Sequence, residues 1–208
     1  VASYLKVAEK TINRMIGRNE IPCAKIGGQW RFFRPMIDDW LVSRMRGGFP
    51  SAPSPAMDTQ GDGWTGQDTF GCFDIEGGSK EEILRSLIVP LHDRLANPET
   101  FLTLLLERER MLSTAVGNGI AFPHVRNPRS NPKGGPCLVI GISRQGVPFE
   151  SPDGKLVRLF ALYCAQDETT HLRGLSRLSV ILSGADVLGR ILDARTAEEV
   201  VNAFRLDA

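Results

Sequence analysis

A chain of 208 residues with 42% hydrophobic content can hold one ordinary domain and a small companion, and no apolar run in it approaches the length of a membrane span. The formal net charge of +1 hides an uneven spread: residues 1–48 carry nine Lys/Arg against four Asp/Glu, residues 49–78 none against five, and residues 79–208 sixteen against fifteen. A basic head, an acidic linker and a neutral body point to an anionic partner for the head alone. No signal-peptide pattern is visible, and the opening residue is Val1, so the natural start is expected upstream. Cys23, Cys72, Cys137 and Cys164 form no CxxC pair and are expected to be small buried apolar residues in a reducing cytosol. No cluster of metal ligands stands out, so neither a metal nor a cofactor is expected.

The head opens with VASYLKVAEKTINRMIGRNEIP. Val1, Tyr4 and Leu5 share one helical face, and Ile12, Met15 and Ile16 share another after a turn at Lys6 and Val7. Two short helices joined by a tight turn make a helix-turn-helix. The second exposes Lys10, Thr11, Asn13, Arg14 and Arg18 and is expected to end near Asn19, before Ile21-Pro22. In CAKIGGQWRFF, Gly27-Gly28 between β-prone runs signals a hairpin. Arg34 to Arg44 reads as a third helix, with Pro35 in its first turn and Ile37, Trp40 and Leu41 on its apolar face. Trp30, in the hairpin, reads as core packing. This order, with KIGGQWRF as its most specific part, resembles the excisionase family of DNA-binding domains, small winged helices related to the MerR group. The resemblance covers residues 1 to about 45. It implies that the second helix enters a major groove while the wing touches the backbone or minor groove, which brings Lys25, Gln29 and Arg31 to the DNA as well. Thr11, Asn13 and Arg14 suit base edges, and the Lys and Arg side chains suit phosphates. The other reading of these residues is a small protein-binding module with a solvated basic face. One head covers one half-site, so a homodimer or higher oligomer is expected.

Residues 47–78 read as a flexible linker dominated by Pro, Gly, Ser and acids, in which Trp64, Phe70 and Phe73 suit docking on a neighbouring domain. From residue 79 the pattern is α/β. Ser79 with Glu82 makes a capping box that opens a helix, and Pro98 to Arg110 makes a longer one with Leu102, Leu105 and Leu106 inward. Ile120 to Phe122, Cys137 to Ile142 and Leu156 to Cys164 are strand-like. His171 to Leu182 is a helix with Leu172, Leu175 and Leu178 inward, and Thr196 with Glu199 caps a last helix. A mixed β-sheet flanked by helices on both faces is expected for residues 79–208, after a winged helix-turn-helix over residues 1–46.

The stretch Gly117 to Arg126, GNGIAFPHVR, carries the chemistry. Glycines let backbone N–H groups approach an anion, Pro123 restricts the chain ahead of His124, and a neutral imidazole is a nucleophile near neutral pH. The stretch suits a histidine that accepts a phosphoryl group, and it equally suits a turn that happens to contain a histidine.

The residues upstream separate these readings. LLLERERMLSTAVGNGIAFPHVR, from Leu104, resembles the active-site segment of the IIA domains of the bacterial phosphoenolpyruvate-dependent sugar phosphotransferase system, in the mannitol, fructose and nitrogen-regulatory group. That group has a helix ending in Arg-Glu, here Arg108 and Glu109, then a Ser/Thr, here Ser113 and Thr114. A Gly-rich turn follows, here Gly117, Asn118 and Gly119, and then Ala-apolar-Pro-His, here Ala121 to His124. A second histidine at the start of a later helix is matched by His171. Val125 stands where the family usually has a smaller residue.

The resemblance implies that His124 accepts phosphate from the small carrier protein HPr or a paralogue of it, with its ring open to the visitor. It implies that Arg108 contacts the phosphoryl oxygens, that His171 orients the ring, and that Ser113, Thr114 and the N–H groups of Gly117, Asn118 and Gly119 complete a cradle. His92 has no motif around it and reads as surface, and Arg126 suits either the carrier or the phosphate. The expected function is a transcription regulator controlled by phosphorylation of His124. The competing readings are a carrier passing phosphate to a IIB permease partner and a protein-binding sensor without phosphate.

Overall fold

The computed structural model describes the chain except for residues 19, 27–28, 33, 46–68, 73–74, 77, 126–129, 131, 183 and 206–208. The helix end at Asn19, the Gly27-Gly28 turn, most of the linker with Trp64, and Phe73 and Arg126 therefore lie outside the described residues, as do the side chains of Lys25 and Leu172.

In the head, α1 (Ala2–Leu5) stops at Lys6, which turns left-handed at φ 53°. Helix α2 (Glu9–Gly17) buries Ile12 and Ile16 and leaves Lys10, Asn13, Arg14 and Arg18 exposed, with Thr11 half-buried. Strands β1 (Ala24–Ile26) and β2 (Gln29–Arg31) pair antiparallel, with Ile26 opposite Gln29. Helix α3 (Arg34–Met45) closes a small core of Ile12, Ile16, Ile21, Cys23, Ile37 and Trp40. Trp40 Nε1 donates to the Glu20 carbonyl at 2.8 Å, which satisfies the one polar atom that a buried indole carries. Two expectations are corrected here. Trp30 is 39% exposed and lies outside that core, whose indole is Trp40. Leu41 is likewise exposed, while Met36, outside the head core, is buried.

The body is a five-stranded mixed sheet in the order β3-β6-β7-β5-β4. Its strands are β3 (Thr69–Cys72), β4 (Ala115–Gly117), β5 (Ile120–Ala121), β6 (Cys137–Val147) and β7 (Val157–Cys164). β3 runs parallel to β6 and β5 parallel to β7, while β6–β7 and β4–β5 are antiparallel. The central pair alternates cleanly. Val139 and Leu162 face one layer; Leu138, Ile140, Ala161 and Tyr163 face the other. The first layer is α4 (Lys80–Ile88), a 3-10 turn over Val89–Arg94, and α5 (Pro98–Met111), which contribute Ile83, Leu84, Leu87, Phe101 and Leu105. The second is α6 (Glu168–Leu182), α7 (Ala185–Asp193) and α8 (Ala197–Arg205), with Leu175, Leu178, Ile191 and Val200 inward.

Caps fix where these helices start. Ser79 and Glu82 form the complete reciprocal box at α4, and Asn97 accepts from the Thr100 N–H at α5. At α8, Thr196 accepts from the Glu199 N–H, but Glu199 reaches one residue further back, to the Arg195 N–H. Composition alone does not disclose that Thr69–Cys72 belongs to the sheet; parallel pairing with β6 overrides a polar, Gly-rich neighbourhood. Among the described residues no helix is long and apolar enough to cross a membrane.

Candidate functional site

Three segments meet at His124. The first is the end of α5, where Arg108 and Glu109 are each only 2% exposed. A buried charge needs hydrogen-bond partners, and both residues have them. Glu109 accepts from the Thr114 N–H at 3.1 Å and from the Thr114 hydroxyl at 2.7 Å, with Lys80 Nζ at 3.5 Å. Lys80 also pairs with Glu150 at 3.1 Å. Arg108 Nη1 donates to the Leu112 carbonyl at 2.8 Å, closing the frayed end of its own helix.

The second segment is the β4–β5 hairpin and the extended chain behind it. Asn118 and Gly119 take φ of 53° and 75°, the two central positions of a type I′ turn between Gly117 and Ile120. The Asn118 N–H donates to Asp153 at 2.9 Å, and Ser151's hydroxyl also bonds that carboxylate. The Ser151 hydroxyl, the Asn118 N–H and the Lys155 N–H together hold the Asp153 carboxyl down at about 2. Past the hairpin the Phe122 N–H donates to the Thr114 carbonyl at 3.1 Å, which carries the pairing up to Pro123. Pro123 has no N–H to continue it, so the chain leaves the sheet at His124.

The third segment is the first turn of α6. Asp167 caps it by accepting from the Thr170 N–H at 2.9 Å, and His171 follows. The His171 ring centroid lies 5.5 Å from that of His124 and 5.9 Å from that of Tyr163, on which it stacks. Gly174, one turn later, is what lets Tyr163 fit beneath the helix; a Cβ there would fall 2.0 Å from its ring.

Contacts at both nitrogens orient the ring of His124. Its Nδ1 is 2.8 Å from the Phe122 carbonyl oxygen, which can only accept, so Nδ1 carries the proton. Nε2 then holds the lone pair, and Arg108 Nε donates to it at 3.3 Å. The tautomer is the one a phosphoryl acceptor at Nε2 requires. A guanidinium at that nitrogen can release it and bond the arriving oxygens instead.

His124, Arg108 and His171 are thus brought together, as expected from the sequence. The expectation of an open ring is not met: His124 is 2% and His171 8% exposed. The expected cradle is also differently employed. Thr114's N–H and hydroxyl go to Glu109, Ser113's hydroxyl goes to the Phe149 carbonyl, and Asn118's N–H goes to Asp153. Gly117 and Gly119 serve the hairpin, with the Gly119 carbonyl accepting from Arg158 and Leu159. Val125 is absorbed into the core on the α4–α5 side. Tyr163, Gly174, Glu109's link to Thr114 and Asp153 are contributors that sequence reading misses. The Asn-Gly dipeptide inside AVGNGIA was a readable hairpin signal; the Tyr163–Gly174 pair had none.

The chain matches the family model for the phosphoenolpyruvate-dependent sugar phosphotransferase system, EIIA 2, over residues 69–206, and a helix-turn-helix domain model over residues 1–45. It is 30% identical over 135 residues to a nitrogen regulatory protein of Bradyrhizobium diazoefficiens, covering 64% of this chain and 86% of that protein. It is 29% identical over 134 residues to the fructose-specific EIIABC component of Bacillus subtilis, covering 62% of this chain but only 21% of that larger protein. Among solved structures, the nitrogen regulatory protein IIA-Ntr of Neisseria meningitidis superposes with a TM-score of 0.58 at 25% identity, over 67% of this chain and 97% of that one. The IIA mannitol domain of Escherichia coli shares the fold with a TM-score of 0.53 at 22% identity, over 66% and 95% of the two chains. With its buried histidine pair, its Arg-Glu helix end and its two-layered mixed sheet, the chain belongs to the EIIA 2 family of the phosphotransferase system and carries a helix-turn-helix domain ahead of it.

Proposed function

We propose that this protein is a DNA-binding regulator whose activity is set by phosphorylation of His124. The observation that carries the reading is the fixed tautomer: Nδ1–H held by the Phe122 carbonyl, with Nε2 facing Arg108. Nε2 attacks the phosphorus of a phosphohistidine on an HPr-like carrier. The new N–P bond forms as the carrier's breaks, and the departing ring keeps the electron pair and takes up a proton. Arg108 swings from Nε2 to the phosphoryl oxygens, where its fork matches their geometry. His171 donates to the same group, and any help from Ser113 or Thr114 first requires those hydroxyls to leave their present acceptors. The head binds DNA as a homodimer, with Thr11, Asn13 and Arg14 at base edges and Lys10, Arg18, Lys25, Gln29 and Arg31 on the backbone. Incubation with phosphoenolpyruvate, the first enzyme of the system and HPr tests this: intact mass should rise by one acid-labile phosphoryl group, and His124→Ala should acquire none.

A second reading has its own support. The Bacillus relative is a fructose-specific EIIABC component of the phosphotransferase system, and a solved relative of the same fold is described as a complex of IIA mannitol with phosphorylated IIB. In that reading His124 passes its phosphate on to a IIB partner. Loss of label from the phosphorylated protein on adding a IIB domain separates the two; a regulator keeps its phosphate.

A further inference from the structure

The head and the body share a surface, and it lies where the three site segments come together. Met36, in the first turn of α3, is 2% exposed. It is buried away from the head's own core, in the body cluster that contains Ile120 and Phe122, two residues ahead of His124. Phe32 and Arg34 of the head line one cavity with Leu112, Ser113 and Val116, the loop and strand that follow Arg108. Strand β1 of the wing lies against α6, the helix that carries His171. The head therefore reaches all three segments of the site, and the ring at their centre is sealed.

We propose that the head is a cap on the phosphorylation site, and that carrier access to His124 requires it to lift. The inference rests on the phosphoryl-acceptor reading above and adds its regulation. A carrier protein cannot bring phosphorus to a nitrogen on a ring with almost no accessible surface. Once His124 is phosphorylated, a doubly negative group stands where the three segments that the head reaches come together, and an apolar side chain such as Met36 does not dock back onto that surface without stripping water from the charge. Phosphorylation thus holds the head off and releases β1 of the wing. By linkage, whatever holds the head away, including DNA that engages the wing in a way the docked body obstructs, favours the phosphorylated form to the same extent.

The test uses the full chain with Met36→Glu and the milder Met36→Gln. Met36 is no part of the head core, and a carboxylate in the first turn of α3 suits the helix dipole, so the head keeps its fold. Diethyl pyrocarbonate acylation, read site by site by mass spectrometry, reports ring access whether or not the ring takes phosphate. His92 is exposed and serves as the internal standard. In the wild type His124 should react far more slowly than His92. Met36→Glu should speed His124 by roughly tenfold or more, with Met36→Gln between, because a buried charge shifts the docked population by at least that factor. Phosphoryl transfer from the carrier should accelerate in the same order. Equal His124 acylation in wild type and both variants overturns the cap. Faster acylation with no phosphate uptake in any form supports the cap and overturns the acceptor reading.

Discussion

Replacing Gly174 with alanine should damage the site from beneath. The new Cβ would stand 2.0 Å from Tyr163 Cε1 and 2.2 Å from Cζ. Carbon atoms need about 3.5 Å, so helix and ring must part by roughly 1.5 Å. Tyr163 has nowhere to go: it is 2% exposed on β7, which is paired on both sides by β6 and β5. The strain therefore falls on α6, and His171 moves with it. Overpacking of this size costs about 3 kcal/mol, at the upper end for a single added carbon. In a body of this size that lowers Tm by ~10 °C. A displacement above 1 Å at a positioning side chain slows transfer by roughly a hundredfold. Urea unfolding followed by far-UV circular dichroism gives the stability, and initial rates of phosphate uptake give the rest. Tyr163→Leu should relieve the clash, so that Gly174→Ala added to it costs less than about 1 kcal/mol. An unchanged urea midpoint in the single variant would refute the reasoning.

Arg108→Lys keeps the charge but loses the fork that bonds both the Leu112 carbonyl and Nε2. Phosphate uptake should fall by about a hundredfold in single-turnover kinetics, and a wild-type rate would remove Arg108 from the chemistry. Gly119→Ala forces an L side chain to φ 75° in the hairpin turn and should cost about 1–2 kcal/mol in urea unfolding. Asp153 is held at about 2 when folded by Ser151 and the Asn118 N–H. With an unfolded value of about 3.9, its contribution is complete above roughly pH 5 and is lost as pH falls toward 2. Asp153→Asn should flatten the acid limb of the stability curve measured by urea titration; an unchanged limb would show that the hairpin does not depend on that charge.

Much of the fold was legible because its signals are local. CLVIGI and, past Arg158, LFALYC are apolar at every step, which fits strands covered on both faces, and the structure divides them residue by residue between two layers. Ser79 with Glu82 announced α4 at the right residue. What escaped depends on partners distant in sequence. Thr69–Cys72 has no strong pattern of its own and is a strand only because β6 offers it a parallel edge. Helix α7 buries Val187 and Ile191, yet Gly184 and Gly189 broke up the pattern. Trp30 stands outside the head core while Trp40, ten residues on, is part of it, a choice between two tryptophans that local pattern does not make. Of the site, His124, Arg108 and His171 were readable from the resemblance to the IIA active-site segment. The burial of the ring was not, since it depends on side chains from segments far apart in the chain, which no local pattern around His124 announces.

The central claim is that Nε2 of His124 is the atom that receives phosphate. Phosphorus-31 and nitrogen-15 NMR of the protein phosphorylated through HPr tests it most directly. The account predicts a single phosphohistidine substituted at Nε2, with the Nδ1 proton still bonded to the Phe122 carbonyl, and no such signal in His124→Ala. Phosphate at Nδ1, on another residue, or absent under conditions that label an authentic IIA domain would contradict it.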